Sequence, residues 1–169
     1  MRLFVGVFPP DSVRADLRRA LPDGLKLTPV ERWHVTLVFL GEVAAERLGE
    51  VEQALDEVGA SPRRIEVRLA GGGRFENARS AALWVGLAGD LAGLHALQED
   101  VRGSLARAGL PGDERPFQPH LTVAYTRSDP ALEGLGSYSG PDWTVEEFAL
   151  VRSRHDEGGG YEILRRWIC

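Results

Sequence analysis

Two of the chain's four histidines are followed two residues later by threonine: His34-Val35-Thr36 in WHVTLVFLG and His120-Leu121-Thr122 in QPHLTVAYTR. Both runs are otherwise apolar and read as β-strands. In a strand, residues i and i+2 project from the same face, about 7 Å apart. His34 therefore shares a face with Thr36, and His120 with Thr122, while Val35, Leu37, Phe39, Leu121 and Val123 turn the other way, into a core. Imidazole titrates near pH 6.5, so one ring of a neighbouring pair can be protonated while the other is neutral. Such a pair can deprotonate a water and protonate a leaving oxygen in one displacement. The threonine hydroxyls would donate to the non-bridging oxygens of a phosphate. The chemistry suggested is metal-free hydrolysis of a phosphodiester.

A single histidine on an apolar strand is more often structural than catalytic, so the repetition carries the argument. Threonine occupies five of the 169 positions. Two of four histidines having Thr at +2 by chance is then a roughly 0.5% event, before any demand for strand context. His95 lies beside Leu94 on a helical pattern and reads as a surface or boundary residue; His155 falls in a turn. No HExxH or clustered carboxylate set favours a metallohydrolase. No G-x-S-x-G elbow favours a serine nucleophile. Gly71-Gly72-Gly73 lacks the Lys-Ser/Thr of a P-loop and reads as a loop hinge.

The elements that would position the motifs follow from periodicity. Residues 2–8 alternate as a strand, and Pro9-Pro10-Asp11 opens a helix with Val13, Leu17 and Leu21 on one side. The WHVTLVFL strand ends at Gly41. A second helix spans 43–58, a strand 65–71, a loop 71–80, and a continuous apolar strand 81–88. A long helix from about 90 to 108 turns Leu91, Leu94, Val101 and Leu105 inward. After the PHLTVAYT strand comes a Gly/Ser/Pro-rich loop (128–142), then a hairpin of 145–153 and 161–168. Strand, helix and His-x-Thr strand thus occur twice, in 2–40 and 81–126, with the two histidines 86 residues apart. A repeat of that size predicts two similar lobes about a pseudo-twofold axis, with a cleft between them.

Composition sets the frame. A chain of 169 residues, 43% hydrophobic and 27% charged, suits one soluble domain or two small lobes sharing a core. No apolar run approaches the roughly 18 residues of a membrane span, and MRLFVGVFPP reads as a first strand rather than a secretory signal. The one cysteine, Cys169, leaves no internal disulfide, and a reducing, cytoplasmic location is the default expectation. A formal charge of −5 excludes coating nucleic acid by bulk basicity, so any phosphate must be bound locally. Nineteen of the twenty basic residues are arginine; that bias suits bidentate phosphate contacts, and equally follows from genome composition.

Five stretches carry a further signal: RLFVGVFPP, WHVTLVFLGEV, GGGRFENARSAALWVGL, RPFQPHLTVAYTR and LVRSRHDEGGGYEILRRW. Together they resemble, over nearly the whole chain, the two-histidine (2H) phosphoesterase superfamily, and within it the RNA 2′,3′-cyclic phosphodiesterases also called 2′-5′ RNA ligases. The resemblance implies a single bilobal α+β domain over 1–169. Two pseudo-symmetric lobes, each with a largely antiparallel sheet and flanking helices, would flank a central cleft. It implies hydrolysis of RNA 2′,3′-cyclic phosphate ends to 2′-phosphomonoesters without a cofactor, and reversible 2′-5′ ligation by the same residues. His34 would give a proton to the departing 3′ oxygen, His120 would accept one from water, and Thr36 and Thr122 would hold the phosphate. Phe75 would stack on a terminal base, or else anchor its loop in the core. Relatives carry arginine soon after the second motif, where Tyr125 stands here, and often at Gln118. Arg127 can reach substrate only if its strand ends or twists, and Arg115 either compensates or is solvated. The expected partners are RNA ends, tRNA fragments among them, and small cyclic nucleotides, with no membrane and a monomeric chain. The alternative in another class is a non-catalytic RNA-end or nucleotide-binding module using the same cleft.

Overall fold

The computed structural model describes residues 1–76, 81–110, 112–125, 135–154 and 159–169, with the backbone alone at 75 and 76. Eight strands form one antiparallel sheet: β1 (Arg2–Val7), β2 (Val35–Glu42), β3 (Ile65–Glu76), β4 (Ala81–Gly89), β5 (His120–Tyr125), β6 (Trp143–Val145), β7 (Glu147–Ser153) and β8 (Tyr161–Ile168). Their order is β6-β3-β4-β5-β2-β1-β7-β8. Among the described residues three helices, α1 (Asp11–Ala20), α2 (Leu48–Gly59) and α3 (Leu91–Arg107), complete an α+β fold.

The helices form where the apolar spacing is helical, and all three cover one face of the sheet. Val13 and Leu17 of α1, Val51, Leu55 and Val58 of α2, and Leu94, Leu97, Val101 and Leu105 of α3 join Leu3, Val5, Val35, Leu83, Val85 and Leu121 in one core. Asp90 caps α3, its carboxylate accepting from the Gly93 N–H at 2.9 Å. The opposite face is open and carries a smaller cluster of Phe4, Ala149 and Val151 with Phe8 and Ile163 against it.

The repeat is visible in the strand order. β2 and β5 lie side by side at the centre, pairing antiparallel at Val35 and Leu121. A local twofold through that pair exchanges β2 with β5, β1 with β4, β7 with β3 and β8 with β6, and β1-α1-β2 matches β4-α3-β5. The two four-stranded halves are thereby joined into one sheet. Adjacency of β1 to β7 has no local sequence signal.

Three expectations change. The stretch 71–80 does not begin a loop at Gly71: β3 continues through Glu76, paired with β4 from Gly72 opposite Val85 to Glu76 opposite Ala81. The glycines are there for contact, because a Cβ on Gly73 would lie 2.7 Å from the Trp84 ring, and one on Gly72 2.7 Å from the Trp84 carbonyl. Phe39 does not share the face of Val35. The β1–β2 ladder shifts register between Val5 and Gly6 and again between Leu3 and Phe4, so Val38 is buried while Phe39 is exposed and stacks with Phe4 on the open face. Finally, the segment 128–142 is followed at once by the short strand β6 on Ile65–Val67, and α2 starts at Leu48 after a 3-10 turn over Ala45–Arg47.

Candidate active site

The motifs come together because β2 and β5 are ladder neighbours. With Val35 opposite Leu121, the register sets Thr36 opposite His120 and His34 opposite Thr122. Val35 and Leu121 are buried on the helix side, and the four polar residues are half-buried on the open side, as alternation requires. The histidines meet within one sheet, side by side.

Each ring is oriented by a backbone carbonyl two residues earlier. His34 Nδ1 donates to the Arg32 carbonyl at 2.7 Å, and His120 Nδ1 to the Gln118 carbonyl at 2.6 Å. A carbonyl only accepts, so both neutral rings carry their proton on Nδ1 and proton transfer falls to Nε2. His34 Nε2 lies 2.9 Å from Thr36 Oγ1, whose hydroxyl donates to it while the ring is neutral.

The neighbours come from the first strand of each repeat. Phe4 stacks on His34 with centroids 4.6 Å apart, and Trp84 sets an edge against His120 at 6.4 Å. Phe4-Val5-Gly6 on β1 and Trp84-Val85-Gly86 on β4 are similar strings set two residues apart in register, Trp84 rather than Gly86 pairing with Thr122. Gly6 pairs with Thr36 and Gly86 with His120. A Cβ on Gly6 would stand 3.3 Å from His34 Cδ2, so the missing side chain makes room for the ring. Phe8 and Tyr161 also pack on His34, each 5.4 Å between centroids. This apolar wall pushes the His34 pKa below the ordinary imidazole value, chiefly by burial. Donation to the Arg32 carbonyl opposes that shift, and the nearby His120 charge adds to it. Burial likewise raises the Tyr161 phenol.

Of the remaining sequence candidates, Arg127 and His155 lie outside the described residues, as does the side chain of Phe75, whose backbone pairs with Ala82 two strands from β5. Arg115 is exposed and tied to Asp113, Nε to Oδ2 at 2.7 Å, and that contact holds the carboxyl below its usual range. His95 is exposed on α3, edge-on to Phe117 at 5.0 Å. Sequence reasoning missed Phe4, Gly6, Trp84, Tyr161 and Arg32, whose guanidinium lies 5.9 Å over the Tyr161 ring. The similar strings FVGV and WVGL, each on the strand that opens its repeat, were the available signal for Phe4, Gly6 and Trp84.

An antiparallel sheet that places two carbonyl-oriented histidines and two threonines on one face is the framework of a two-histidine phosphoesterase. The chain belongs to the 2′-5′ RNA ligase superfamily, whose family model matches residues 9–157. It is 36% identical to the RNA 2′,3′-cyclic phosphodiesterase of Thermus thermophilus, over 99% of this chain and 89% of that protein. A crystal structure of a Thermus thermophilus protein superposes with a TM-score of 0.79 at 32% identity, covering 99% and 97% of the two chains. The structure of Escherichia coli LigT complexed with 3′-AMP gives 0.69 at 27% identity, covering 99% and 96%.

Proposed function

We propose that this chain is an enzyme that hydrolyses RNA 2′,3′-cyclic phosphate ends to 2′-phosphomonoesters, with His34 and His120 as its acid and base. The observation that carries the reading is the common orientation of the rings, each fixed through Nδ1 so that Nε2 is left to the site, with the Thr36 hydroxyl 2.9 Å from His34 Nε2. The cyclic phosphate sits across the His34–Thr122 and His120–Thr36 pairs, with the hydroxyls donating to its non-bridging oxygens. His120 Nε2 takes a proton from water as the water oxygen bonds to phosphorus. The bond from phosphorus to O3′ breaks, and O3′ receives the proton on His34 Nε2. His34 has to be charged for this, and the anionic phosphate opposes the burial that depresses its pKa. With a ribose 5′-hydroxyl in place of water, the same steps in the same direction form a 2′-5′ linkage, and their reverse cleaves it.

Phe75 and Arg127 complete the reading as contacts to an RNA base and to phosphate. The substrate is an RNA end, such as a tRNA fragment, or a small cyclic nucleotide. The chain acts as a single two-lobed, monomeric cytoplasmic domain over 1–169, and no described helix is long and apolar enough to cross a membrane. The test is incubation with chelator and an oligonucleotide ending in 2′,3′-cyclic phosphate. The expected product carries its phosphate on O2′, and His34→Ala and His120→Ala each lower the rate by about 10²–10⁴. Turnover that survives either substitution rejects the mechanism. Binding of the RNA end without any turnover in the native chain identifies a non-catalytic module instead.

A further inference from the structure

Gln98 breaks the pattern of α3. The buried stripe of that helix runs Leu94, Leu97, Val101, Leu105, and Gln98 stands within it, 6% exposed. A carboxamide at a core position is unfavourable unless it is hydrogen-bonded. The other buried polar side chain among the described residues, Ser104, is bonded: its hydroxyl donates to the Ala54 carbonyl at 2.7 Å. Gln98 forms no hydrogen bond among the described residues. Its amide instead lines a cavity of about 640 Å³, shared with Thr36, Val38, Phe117, Gln118 and His120.

The cavity exists because the twofold is broken there. Before His34, residues 27–33 close against β5: Leu27 bridges Ala124, the Thr28 N–H donates to the Val123 carbonyl at 2.9 Å, and the buried Trp33 indole fills the space beneath. The counterpart of Trp33 is Pro119, whose small ring fills far less. The counterpart segment, 113–119, reaches β2 through one backbone bond among the described residues, Asp113 N–H to the Phe39 carbonyl at 3.2 Å. What is packed shut beside His34 is therefore open beside His120.

We propose that this cavity seats the base of the terminal nucleotide, the one bearing the cyclic phosphate, and that the Gln98 carboxamide reads its hydrogen-bonding edge. The proposal rests on the phosphodiesterase reading and adds its specificity site. Thr36 and His120 line both the cavity and the phosphate site, so the base it receives belongs to the nucleotide that carries the reacting phosphate. Val38 and Phe117 offer apolar surface to the faces of a planar ring. The carboxamide presents a donor beside an acceptor, the complement of a base edge. The cavity is in the size range of a nucleoside site, far larger than one that holds an ion or a water. The one ion pair at its rim, Asp113 with Arg115, is internally compensated, which suits an uncharged base.

The experiment compares the native chain with Gln98→Leu and Gln98→Glu on oligonucleotides ending in cyclic phosphate on A, C, G, U or an abasic ribose. The native chain is expected to prefer its best base over the abasic end by roughly 5- to 150-fold in kcat/KM, the range of a two-bond base contact. Gln98→Leu flattens the ranking through KM and leaves abasic turnover within twofold. Its melting temperature is unchanged or higher, because the amide removed faces the cavity and no described residue loses a hydrogen bond. Gln98→Glu retains the length but not the donor, and reorders the bases. A ranking that survives both variants, or an abasic rate that falls in parallel, overturns the inference while leaving the phosphodiesterase reading intact. If the native chain turns nothing over, that reading fails separately. The base site is then read from binding of the four nucleoside 2′-monophosphates, where loss of discrimination in Gln98→Leu supports it and its persistence refutes it.

Discussion

Gly6→Ala separates the role of a glycine in catalysis from its role in folding. Gly6 lies in β1 between Thr36 of β2 and Ala149 of β7, and its φ is not in the left-handed region. Alanine is therefore conformationally allowed, and the smaller entropy of the unfolded chain favours it by about 0.4–1 kcal/mol. Against this, the new methyl would sit 3.2 Å from the Val35 carbonyl oxygen, 3.3 Å from His34 Cδ2 and 3.3 Å from Phe4 Cε2. The carbonyl belongs to the sheet ladder and is the least able to move, so the rings give way by about 0.3–0.4 Å to restore an ordinary carbon–carbon contact. His34 is held at Nδ1 by the Arg32 carbonyl and at Nε2 by Thr36, so that displacement moves Nε2 relative to the phosphate. A misplacement of about 1 Å costs roughly 100-fold in rate, so a third of it costs about fivefold. The expected outcome is a melting temperature close to native with kcat about fivefold lower on a cyclic-phosphate-ended oligonucleotide. Gly86, in the similar string on β4 and paired with His120, is the control. A Cβ on Gly86 would meet the Ala70 carbonyl at 2.9 Å, a backbone clash, so Gly86→Ala should lower the melting temperature as well as the rate. Native kcat in a folded Gly6→Ala protein, or a loss of stability as large as that of Gly86→Ala, would refute the reasoning.

Two further outcomes follow from the same geometry. His34 is less basic in the folded chain than the ordinary imidazole value of 6.5. Between that lowered value and 6.5 the unfolded chain binds more protons, so stability rises with pH there, is complete above 6.5, and is lost as pH falls through the folded value. Denaturant melts at pH 5 and pH 7 should show this slope, and His34→Phe should flatten it; an unchanged slope rejects the assignment. Thr36→Val removes the hydroxyl that donates to the phosphate once His34 is charged, and kcat should fall by about 10²–10³ with little change in fold, as for loss of one oxyanion donor. A Thr36→Ser variant should recover much of that rate.

What can be read from the residues and what cannot divide along physical lines. The alternation in HVTL and HLTV is a period-two signal within one strand, so the common face of each His-Thr pair is legible. The helix stripes are legible for the same reason, as is the repeat that relates the two motifs. Direct pairing of Val35 with Leu121 is a contact between residues 86 apart, and no local pattern encodes it. The face of Phe39 departs from simple alternation because the register shift between Val5 and Gly6 intervenes, and a bulge leaves no mark in hydrophobicity. The triple glycine reads as a hinge on composition, whereas Gly73 makes room for the Trp84 ring, Gly72 for the Trp84 carbonyl, and Gly71 takes a φ of 70°. Gln98 is the instructive case: a polar residue on an otherwise apolar helical stripe is visible in the sequence, but only the cavity beside it gives it meaning.

A two-histidine mechanism needs the rings to differ, since one must give a proton while the other takes one. Twin motifs on a twofold would by themselves produce equivalent rings. The difference is supplied by neighbours outside the motifs. His34 is enclosed by Phe4 at 4.6 Å, Phe8 and Tyr161, and the segment before it is sealed onto β5. His120 meets the edge of Trp84 at 6.4 Å and borders an open cavity. Near-identical strands thus place like groups together, and the unlike packing around them sets which ring is dry and which adjoins the substrate. Substituting the aromatic neighbours should therefore change the division of labour between the histidines, whereas exchanging Val35 and Leu121 on the shared core face should not.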